Sequence, residues 1–310
     1  MKIVRQPAEV PREAAPVALA IGFLDGVHLG HQRVIRAAIA RARAAGGQAW
    51  ILTFEPHPLQ ILRPGRAPAL LTPTPQKLRL LAALGADGCL LLPFTPALAA
   101  REPEDFIAGL VAALPPLAGV SVGANWTFGH RGRGDTELLR ALGARHDFEV
   151  EIVAPVLVGG APVSSTRVRQ AVLAGDLSGA AALLGRPFSV SGRVEAGRGV
   201  GRGLGFPTAN LDAVCELHPP TGVYAVLAEC DGVRRGGAAY FGHRPTFDAT
   251  PRPVLEVHLF DTDADLYGKD LEVFFLERLR GDERFESPEA LRRQIERDVA
   301  RARAIAAAAE

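Results

Sequence analysis

Hydrophobic residues in this chain follow two different rhythms, and the change between them falls near residue 185. Up to about Ala182, near-continuous apolar runs alternate with stretches of helical spacing. The runs cover residues 17–24, 49–54, 88–94, 120–123 and 150–155. The helical stretches begin after Asp25-Gly26 and recur at 76–84, 103–114, 135–145 and 165–174. A strand is apolar throughout only where both faces of its sheet are covered, so residues 1–182 predict a doubly wound, Rossmann-like α/β domain with a parallel sheet. A short alanine-rich helix and Leu184-Gly185-Arg186-Pro187 mark a junction. From Phe188 the period becomes two, over residues 188–195, 223–229, 237–241, 254–260 and 271–279, with Gly, Pro and Asp turns between them. Residues 183–310 therefore predict a small antiparallel β-barrel. A terminal helix closes it, with Ser287 as N-cap, Pro288 at the first position and Leu291, Ile295 and Val299 as its apolar face.

At 310 residues the chain is long enough for two separate cores. Lys and Arg number 35 against 34 Asp and Glu, so no large basic surface for nucleic acid is expected. Nearly all the positive charge is arginine; lysine occurs only at Lys2, Lys77 and Lys269. Cys89, Cys215 and Cys230 are scattered without CxxC spacing, as reduced thiols would be. With no apolar leader and no run of bilayer length, the expectation is a cytoplasmic protein without a membrane partner.

The run at 17–24 breaks into Asp25-Gly26-Val27-His28-Leu29-Gly30-His31, and an amphipathic helix follows with Val34, Ile35, Ala38, Ile39 and Ala42 at helical spacing. His28, Gly30 and His31 thus sit where a strand feeds a helix N-terminus, a place suited to a phosphate. Two imidazoles there could stabilise charge on phosphorus. They could equally be a helix cap with two solvated histidines, or half of a metal site. Three further segments end at the same edge of the predicted sheet: Thr53-Phe54-Glu55-Pro56-His57-Pro58, Gly123-Ala124-Asn125-Trp126-Thr127-Phe128-Gly129 with the arginines after it, and Ser164-Ser165-Thr166-Arg167-Val168-Arg169. Hydroxyls and free amides opening a helix, with arginine nearby, bind anions, although such triplets usually only cap their helix.

The second half opens with a glycine-rich stretch from Gly197 that ends in Gly205-Phe206-Pro207-Thr208-Ala209-Asn210. Glycine lets backbone amides approach phosphates, and Phe-Pro-Thr-x-Asn presents a hydroxyl and an amide two residues apart, suitable for Mg²⁺ and phosphate oxygens. It is not a Walker loop, which ends in GKS/T and opens a helix. Glu256, between Leu255 and Val257 in a period-two strand, faces away from both neighbours.

In this order the motifs GFLDGVHLGH, TFEPHP, VGANWTFGHRGRGD and SSTRVR resemble the HxGH nucleotidylyltransferase superfamily, and more closely the adenylyltransferase module of prokaryotic bifunctional riboflavin kinase/FAD synthetases. GFPTAN, the G-x-x-P-T-F turn at Gly242–Phe247 and the blocks Leu255-Glu256-Val257-His258 and Asp265-Leu266-Tyr267-Gly268 resemble the kinase module of the same family. The resemblance covers nearly the whole chain. It implies that the barrel phosphorylates riboflavin to FMN and that the N-terminal domain transfers AMP from ATP to FMN, giving FAD and pyrophosphate. It further implies Mg²⁺ with ATP as co-substrate and a monomer or weak homo-oligomer. By position, His28 and His31 would stabilise the transition state of adenylyl transfer. Gly22, Asp25, Gly30, Asn125, Ser165, Thr166 and Arg169 would lie along ATP and the phosphates, and His57 on the flavin side. In the barrel, Glu256 would be the general base for the riboflavin hydroxyl. Gly201, Gly205, Phe206, Thr208 and Asn210 would bind ATP, Thr208 and Asn210 also Mg²⁺, and Arg280 and Phe285 the flavin. The sequence departs from the family's usual residues at Phe23-Leu24, and on the expected flavin side at Tyr240 and Asp282. A flavin-binding regulator without turnover, or an adenylyl- or cytidylyltransferase for another phosphorylated molecule, are the alternatives.

Overall fold

The computed structural model describes residues 1–195, 205–213, 215–244, 252–262 and 264–309. Contacts divide the chain into two compact units, Met1–Ser165 and Thr166–Glu310.

The first unit is built on a six-stranded parallel sheet of β1 (Lys2–Val4), β2 (Val17–Ile21), β3 (Gln48–Glu55), β4 (Gly88–Pro93), β5 (Leu117–Gly123) and β6 (Glu149–Val153), in the order β1-β4-β3-β2-β5-β6. Between the strands run α1 (Leu29–Ala44), α2 (Pro58–Leu62), α3 (Thr74–Ala83), α4 (Pro96–Ala99), α5 (Pro103–Ala113) and α6 (Thr136–Arg145). The side chains of β2 alternate between two cores. Ala18 and Ala20 pack with Ile35 and Ala38 of α1 and Leu81 of α3. Leu19 and Ile21 pack with Phe106 and Leu110 of α5 and Leu139 of α6. All five residues of β2 are buried, which is why the strand reads as an unbroken apolar run. From β2 the chain moves outward through β3 and β4, then returns to the other side of β2 as β5. Strand order therefore reverses between β2 and β5, the place where such sheets leave a crevice at their carboxyl ends. The apolar run at 17–24 is strand only to Ile21; Leu24 leaves the ladder with φ 62° yet stays buried in the turn. β1 escapes sequence reading because three residues are too few to show a period.

A two-residue hairpin, β7 (Leu157–Val158) with β8 (Ala161–Pro162), precedes α7 (Ser165–Ala174) and α8 (Leu177–Leu184). Asp176 caps α8, and Gly185 ends it at φ 71°, a left-handed position that suits glycine. Beyond it β9 (Phe188–Glu195), β10 (Ala209–Ala213), β11 (Gly222–Cys230), β12 (Val233–Arg244), β13 (Arg252–Leu259) and β14 (Asp270–Arg280) close an antiparallel barrel in the order β10-β13-β12-β11-β14-β9. Period-two reading finds all of these except β10, which follows the Phe206-Pro207 turn directly and is masked by it. The last helix, α9 (Pro288–Ala307), is capped as expected, Ser287 Oγ accepting from Ala290 N. Its expected face of Leu291, Ile295 and Val299 is only half-buried. The fully buried positions lie one step round, at Asp298, Ala302 and Ala306. Ala302 meets Ala225, Ala238 and Phe260, and Ala306 meets Leu227 and Phe274. Alanine lets the helix approach closely, since a Cβ on Gly236 would come within 2.8 Å of Ala306 Cβ.

Candidate functional site

The turn between β2 and α1 combines backbone strain with dense anchoring. Leu24 (φ 62°), Gly26 (83°) and Val27 (42°) all lie in the left-handed region, which costs most for the β-branched valine. Each peptide around them is tied down. Thr53 Oγ1 donates to Phe23 O at 2.8 Å, and Ser165 Oγ donates to Asp25 O at 2.9 Å. Gln32 Nε2 donates to Val27 O at 3.0 Å, and Gly26 N donates to Thr72 Oγ1 at 3.1 Å. Asp25, only 3% exposed, accepts from Leu71 N at 3.0 Å and Thr72 N at 3.1 Å. Its carboxylate thus serves the backbone of a segment some 46 residues away in sequence.

This turn delivers His28 and His31. His28 is the N-cap of α1, its Nδ1 accepting from His31 N at 3.3 Å. The cap reading is therefore correct, but His28 is not solvated: it is 5% exposed, His31 is half-buried, and the two rings stack with centroids 3.5 Å apart and planes at 18°. Gly30 leaves room for the stack, since a Cβ there would sit 3.2 Å from two atoms of the His28 ring. With Nδ1 accepting, the His28 ring has Nε2 as its donor. His31 Nδ1 is enclosed and has no hydrogen-bond partner. Burial, and then the neighbouring His28 and Lys77, hold the His31 pKa well below 6.5, so the ring is neutral at pH 7. Among the described residues no group of three His, Cys, Asp or Glu is placed to hold a metal ion. Two imidazoles at a helix N-terminus, on a fixed backbone, suit an anion whose charge grows during reaction.

Beside this loop lies a cavity of about 430 Å³ lined by Phe23, Phe54, Phe94, Trp126 and Phe128, with Asn125 and Arg131 among its polar groups. Trp126 and Phe128 stack at 4.6 Å, and His57 meets the Phe23 ring edge-on at 4.1 Å. His57 also caps α2, accepting from Leu59 N at 2.9 Å. Gly22 continues the sheet by donating to Leu52 O. Thr166 and Arg169 lie in the first two turns of α7, within the second unit.

Sequence reading missed Lys77, noting it only as one of three lysines. It lies on α3, is 2% exposed, and donates from Nζ to Phe23 O (3.3 Å), Thr53 Oγ1 (3.3 Å) and Phe54 O (3.4 Å). Burial lowers its pKa to about 8 against the pull of Asp25, Cys89 and Glu55. A lysine in an arginine-rich chain, on the helix face shared by buried Gln76 and Leu81, was the available signal.

In the barrel, strand register does the assembling. Asn210 on β10 pairs with Glu256 on β13, and Glu256 pairs with Tyr240 on β12. Directly paired residues share a face, so the three stand side by side. The flanking Leu255 and Val257 are buried and turned inward, leaving Glu256 half-buried on the outer face. Thr208, also half-buried, precedes Asn210 by two residues and lines a cavity of about 480 Å³ with Pro207, Leu259, Asp265 and Tyr267. His258 steadies this turn, its Nδ1 lying 2.8 Å from Pro207 O and its ring 5.6 Å edge-on from Phe206. Gly205 is exposed at φ 90°; Gly201 and the rest of the glycine-rich stretch lie outside the described residues, as do Pro245, Thr246 and Phe247. Arg280 and Phe285 come together, the guanidinium 5.4 Å from the ring centroid, while Arg280 Nε binds Asp298 of α9 at 2.9 Å. The departures at Tyr240 and Asp282 also meet: the phenol donates to the carboxylate. Burial, then Asp282 and Glu256, raise the Tyr240 pKa.

Comparison with known proteins matches both halves. The family model for FAD synthetase covers residues 10–167 and that for riboflavin kinase covers residues 184–306. The chain is 38% identical over 307 residues to the bifunctional riboflavin kinase/FMN adenylyltransferase of Escherichia coli strain K12, covering 98% of this chain and 97% of that protein. It is 33% identical over 297 residues to the protein of the same name from Bacillus subtilis strain 168, covering 93% and 92%. A crystal structure from Streptococcus pneumoniae, described as a macrolide-efflux protein, superposes with a TM-score of 0.84 at 30% identity, covering 96% of each chain.

Proposed function

The chain belongs to the bifunctional riboflavin kinase/FMN adenylyltransferase family, and from that premise we propose how its two units divide the work between named residues. The barrel phosphorylates riboflavin and the N-terminal domain adenylylates the FMN formed. We draw the functional boundary at residues 182/183, between the stretches that the two family models match.

In the barrel, Glu256 accepts the proton of the riboflavin 5′-hydroxyl. That oxygen bonds to the γ-phosphorus of ATP, the bond to the β-phosphate oxygen breaks, and ADP leaves. The observation that carries this assignment is the pairing of Asn210 with Glu256, which sets a carboxylate beside the residues suited to the nucleotide. Thr208 Oγ1 and the Asn210 amide oxygen are hard donors, and they fit Mg²⁺, which takes one or two protein oxygens together with phosphates. When bound, the ion would offset phosphate charge. Gly201, Gly205 and Phe206 would serve ATP, and Arg280 and Phe285 the flavin.

In the N-terminal domain a phosphate oxygen of FMN attacks the α-phosphorus of ATP. The α–β bridging bond breaks and pyrophosphate leaves, with no covalent enzyme intermediate. His28 donates from Nε2 to the charge that develops, and His31 supports it as a neutral donor. Gly22 and Gly30 allow close approach, Asp25 fixes the turn, and Asn125, Ser165, Thr166 and Arg169 serve the phosphates. The aromatic cavity beside His57 matches the isoalloxazine in size and character. ATP as the shared co-substrate and unpaired cysteines agree with a cytoplasmic setting. The reading takes the enzyme as a monomer or weak homo-oligomer. Among the described residues no helix is long and apolar enough to cross a membrane.

The test is a chromatographic time course of purified protein with riboflavin, ATP and Mg²⁺. FMN first and FAD later is the expected result. FMN alone removes the N-terminal assignment, and bound riboflavin without product replaces both by a flavin-binding regulator.

A further inference from the structure

We propose that Lys77 is a positioning residue for adenylyl transfer: its ammonium ties the ends of β2 and β3 together beneath the strained turn and so sets where His28 and His31 stand. The inference rests on adenylyl transfer taking place at this turn. Its basis is where the lysine's bonds go. Phe23 O lies at the start of the turn and Phe54 O near the end of β3, and both accept from Nζ, at 3.3 and 3.4 Å. Thr53 Oγ1 lies 3.3 Å from Nζ and itself donates to Phe23 O, so one carbonyl takes two donors. The ammonium also lies 4.3 Å from the centroid of the Phe23 ring, which forms one wall of the aromatic cavity. Lys77 is 2% exposed and Thr53 fully buried, while Phe23 and Phe54 are half-buried.

A buried cation is retained only where its surroundings use it. The other two lysines, Lys2 and Lys269, are exposed. Elsewhere the chain uses arginine, whose wider planar head cannot sit among two carbonyls and a hydroxyl as a compact ammonium does. The turn needs an anchor at Phe23 because Leu24 and Val27 hold unfavourable φ values that relax if either end is released. Asp25 and Ser165 hold the middle and Gln32 the far end. Lys77 and Thr53 hold the near end. Lys77 has a second effect through space. The charged and titratable groups around it are Asp25 on the turn, Glu55 on β3, Cys89 on β4 and the histidines, and its positive charge opposes protonation of His31.

The test separates positioning from mere stability by using both activities of the full-length enzyme. Lys77→Met keeps the length and removes the charge. The expected result is a fall in kcat for FMN adenylylation of about 100-fold, as for a misplaced catalytic group, with KM for FMN and ATP within about 3-fold. Riboflavin kinase activity stays within about 2-fold, because the barrel is a separate unit. The acid limb of the adenylylation pH profile moves to higher pH, since His31 protonates more readily without Lys77. Thr53→Val, which removes the second donor to Phe23 O, repeats the kcat loss more weakly. If Lys77→Met loses the N-terminal fold, the Thr53→Val kinetics decide alone. Adenylylation within about 3-fold of wild type in the folded Lys77 variant, with an unmoved acid limb, overturns the proposal. So does an unchanged kcat in Thr53→Val should that variant have to decide. Wild-type protein that makes no FAD overturns instead the assignment of adenylyl transfer.

Discussion

The two candidate sites are made in opposite ways. In the N-terminal domain the proposed chemistry sits on a strained turn at the switch point of a parallel sheet. That turn is held by groups from β3, from residues 71–72, from α1, from α3 and from Ser165. In the barrel it sits on paired strands, where Asn210, Glu256 and Tyr240 are neighbours simply because three strands pair in that register. The first arrangement depends on buried polar bonds that cannot be removed singly without cost. The second depends on a ladder whose backbone bonds are indifferent to the side chains it displays. The lesson is that a side chain removed from the barrel site should silence chemistry and spare the fold, whereas the N-terminal site couples the two.

The sharpest way to break this comparison is to silence each site in turn. Glu256→Gln should lower riboflavin kinase turnover by about 10³-fold, the range for loss of a general base, and leave FMN adenylylation intact. His28→Ala should lower adenylylation by about 10²- to 10³-fold, as for loss of a preorganised donor, and leave the kinase intact. Separate assays with riboflavin and with FMN check both. Loss of both activities in either folded variant would mean that the sites are not independent.

Next in size is Asp25→Ala, which leaves the buried amides of Leu71 and Thr72 without an acceptor. A loss of about 2–3 kcal/mol is expected from the N-terminal unit alone. Trp50 and Trp126, the chain's two tryptophans, both lie in that unit, so urea unfolding followed by fluorescence reports it selectively. Kinase activity under the same urea should be unaffected by the substitution.

This coupling also explains what could be read in advance. The GFLDGVHLGH stretch carries its strand, turn and helix in consecutive residues, so the position of His28 and His31 was open to a reader of the sequence. Glu256 was found with its correct facing because period-two alternation survives in β13. What stayed hidden depends on contacts across long separations. That Asp25 anchors Leu71 N and Thr72 N shows only once those residues are seen beside it, and Lys77 looks like any helical lysine until β2 and β3 close over it. β10 was hidden by a proline-containing turn, and the buried face of α9 was hidden because two of its three positions are alanines and the third is an aspartate that Arg280 neutralises. The pairing of Tyr240 with Asp282 needed strand register and a loop path together.

A smaller effect is expected from pH, and it too should belong to the N-terminal unit. His31 has its folded pKa below the unfolded 6.5, so below that pH the unfolded chain holds more protons and stability falls as pH falls. Lys77, lowered to about 8 from 10.5, also binds protons better when unfolded, so stability should rise again above pH 8. Cys89, raised to about 12 from 9.0, acts in the opposite direction, because above pH 9 the folded chain keeps a proton that the unfolded chain loses. The net expectation is a rise towards pH 6.5, a plateau, and a second rise of about 1 kcal/mol between pH 8 and 9. Tryptophan-detected unfolding at each pH measures it, and Lys77→Met should remove the second rise.

The smallest expected effect tests whether the barrel site is as loosely coupled as its construction suggests. Tyr240 and Asp282 are the departures noted in the sequence on the proposed flavin side, and the phenol of one donates to the carboxylate of the other, next to Glu256. If the two substitutions form one device, Tyr240→Phe and Asp282→Asn should each raise KM for riboflavin, and the double variant should be little worse than either. Tyr240 is 38% exposed, so solvent weakens the bond and the coupling should be only about 0.5 kcal/mol, roughly a 2-fold departure from additivity. A ladder-built site lets such a pair be lost with kcat nearly unchanged, because Glu256 is held by its own strand and not by Tyr240. A kcat loss in Tyr240→Phe approaching that of Glu256→Gln would instead make the barrel site as interlocked as the N-terminal turn, and the contrast between the two would disappear.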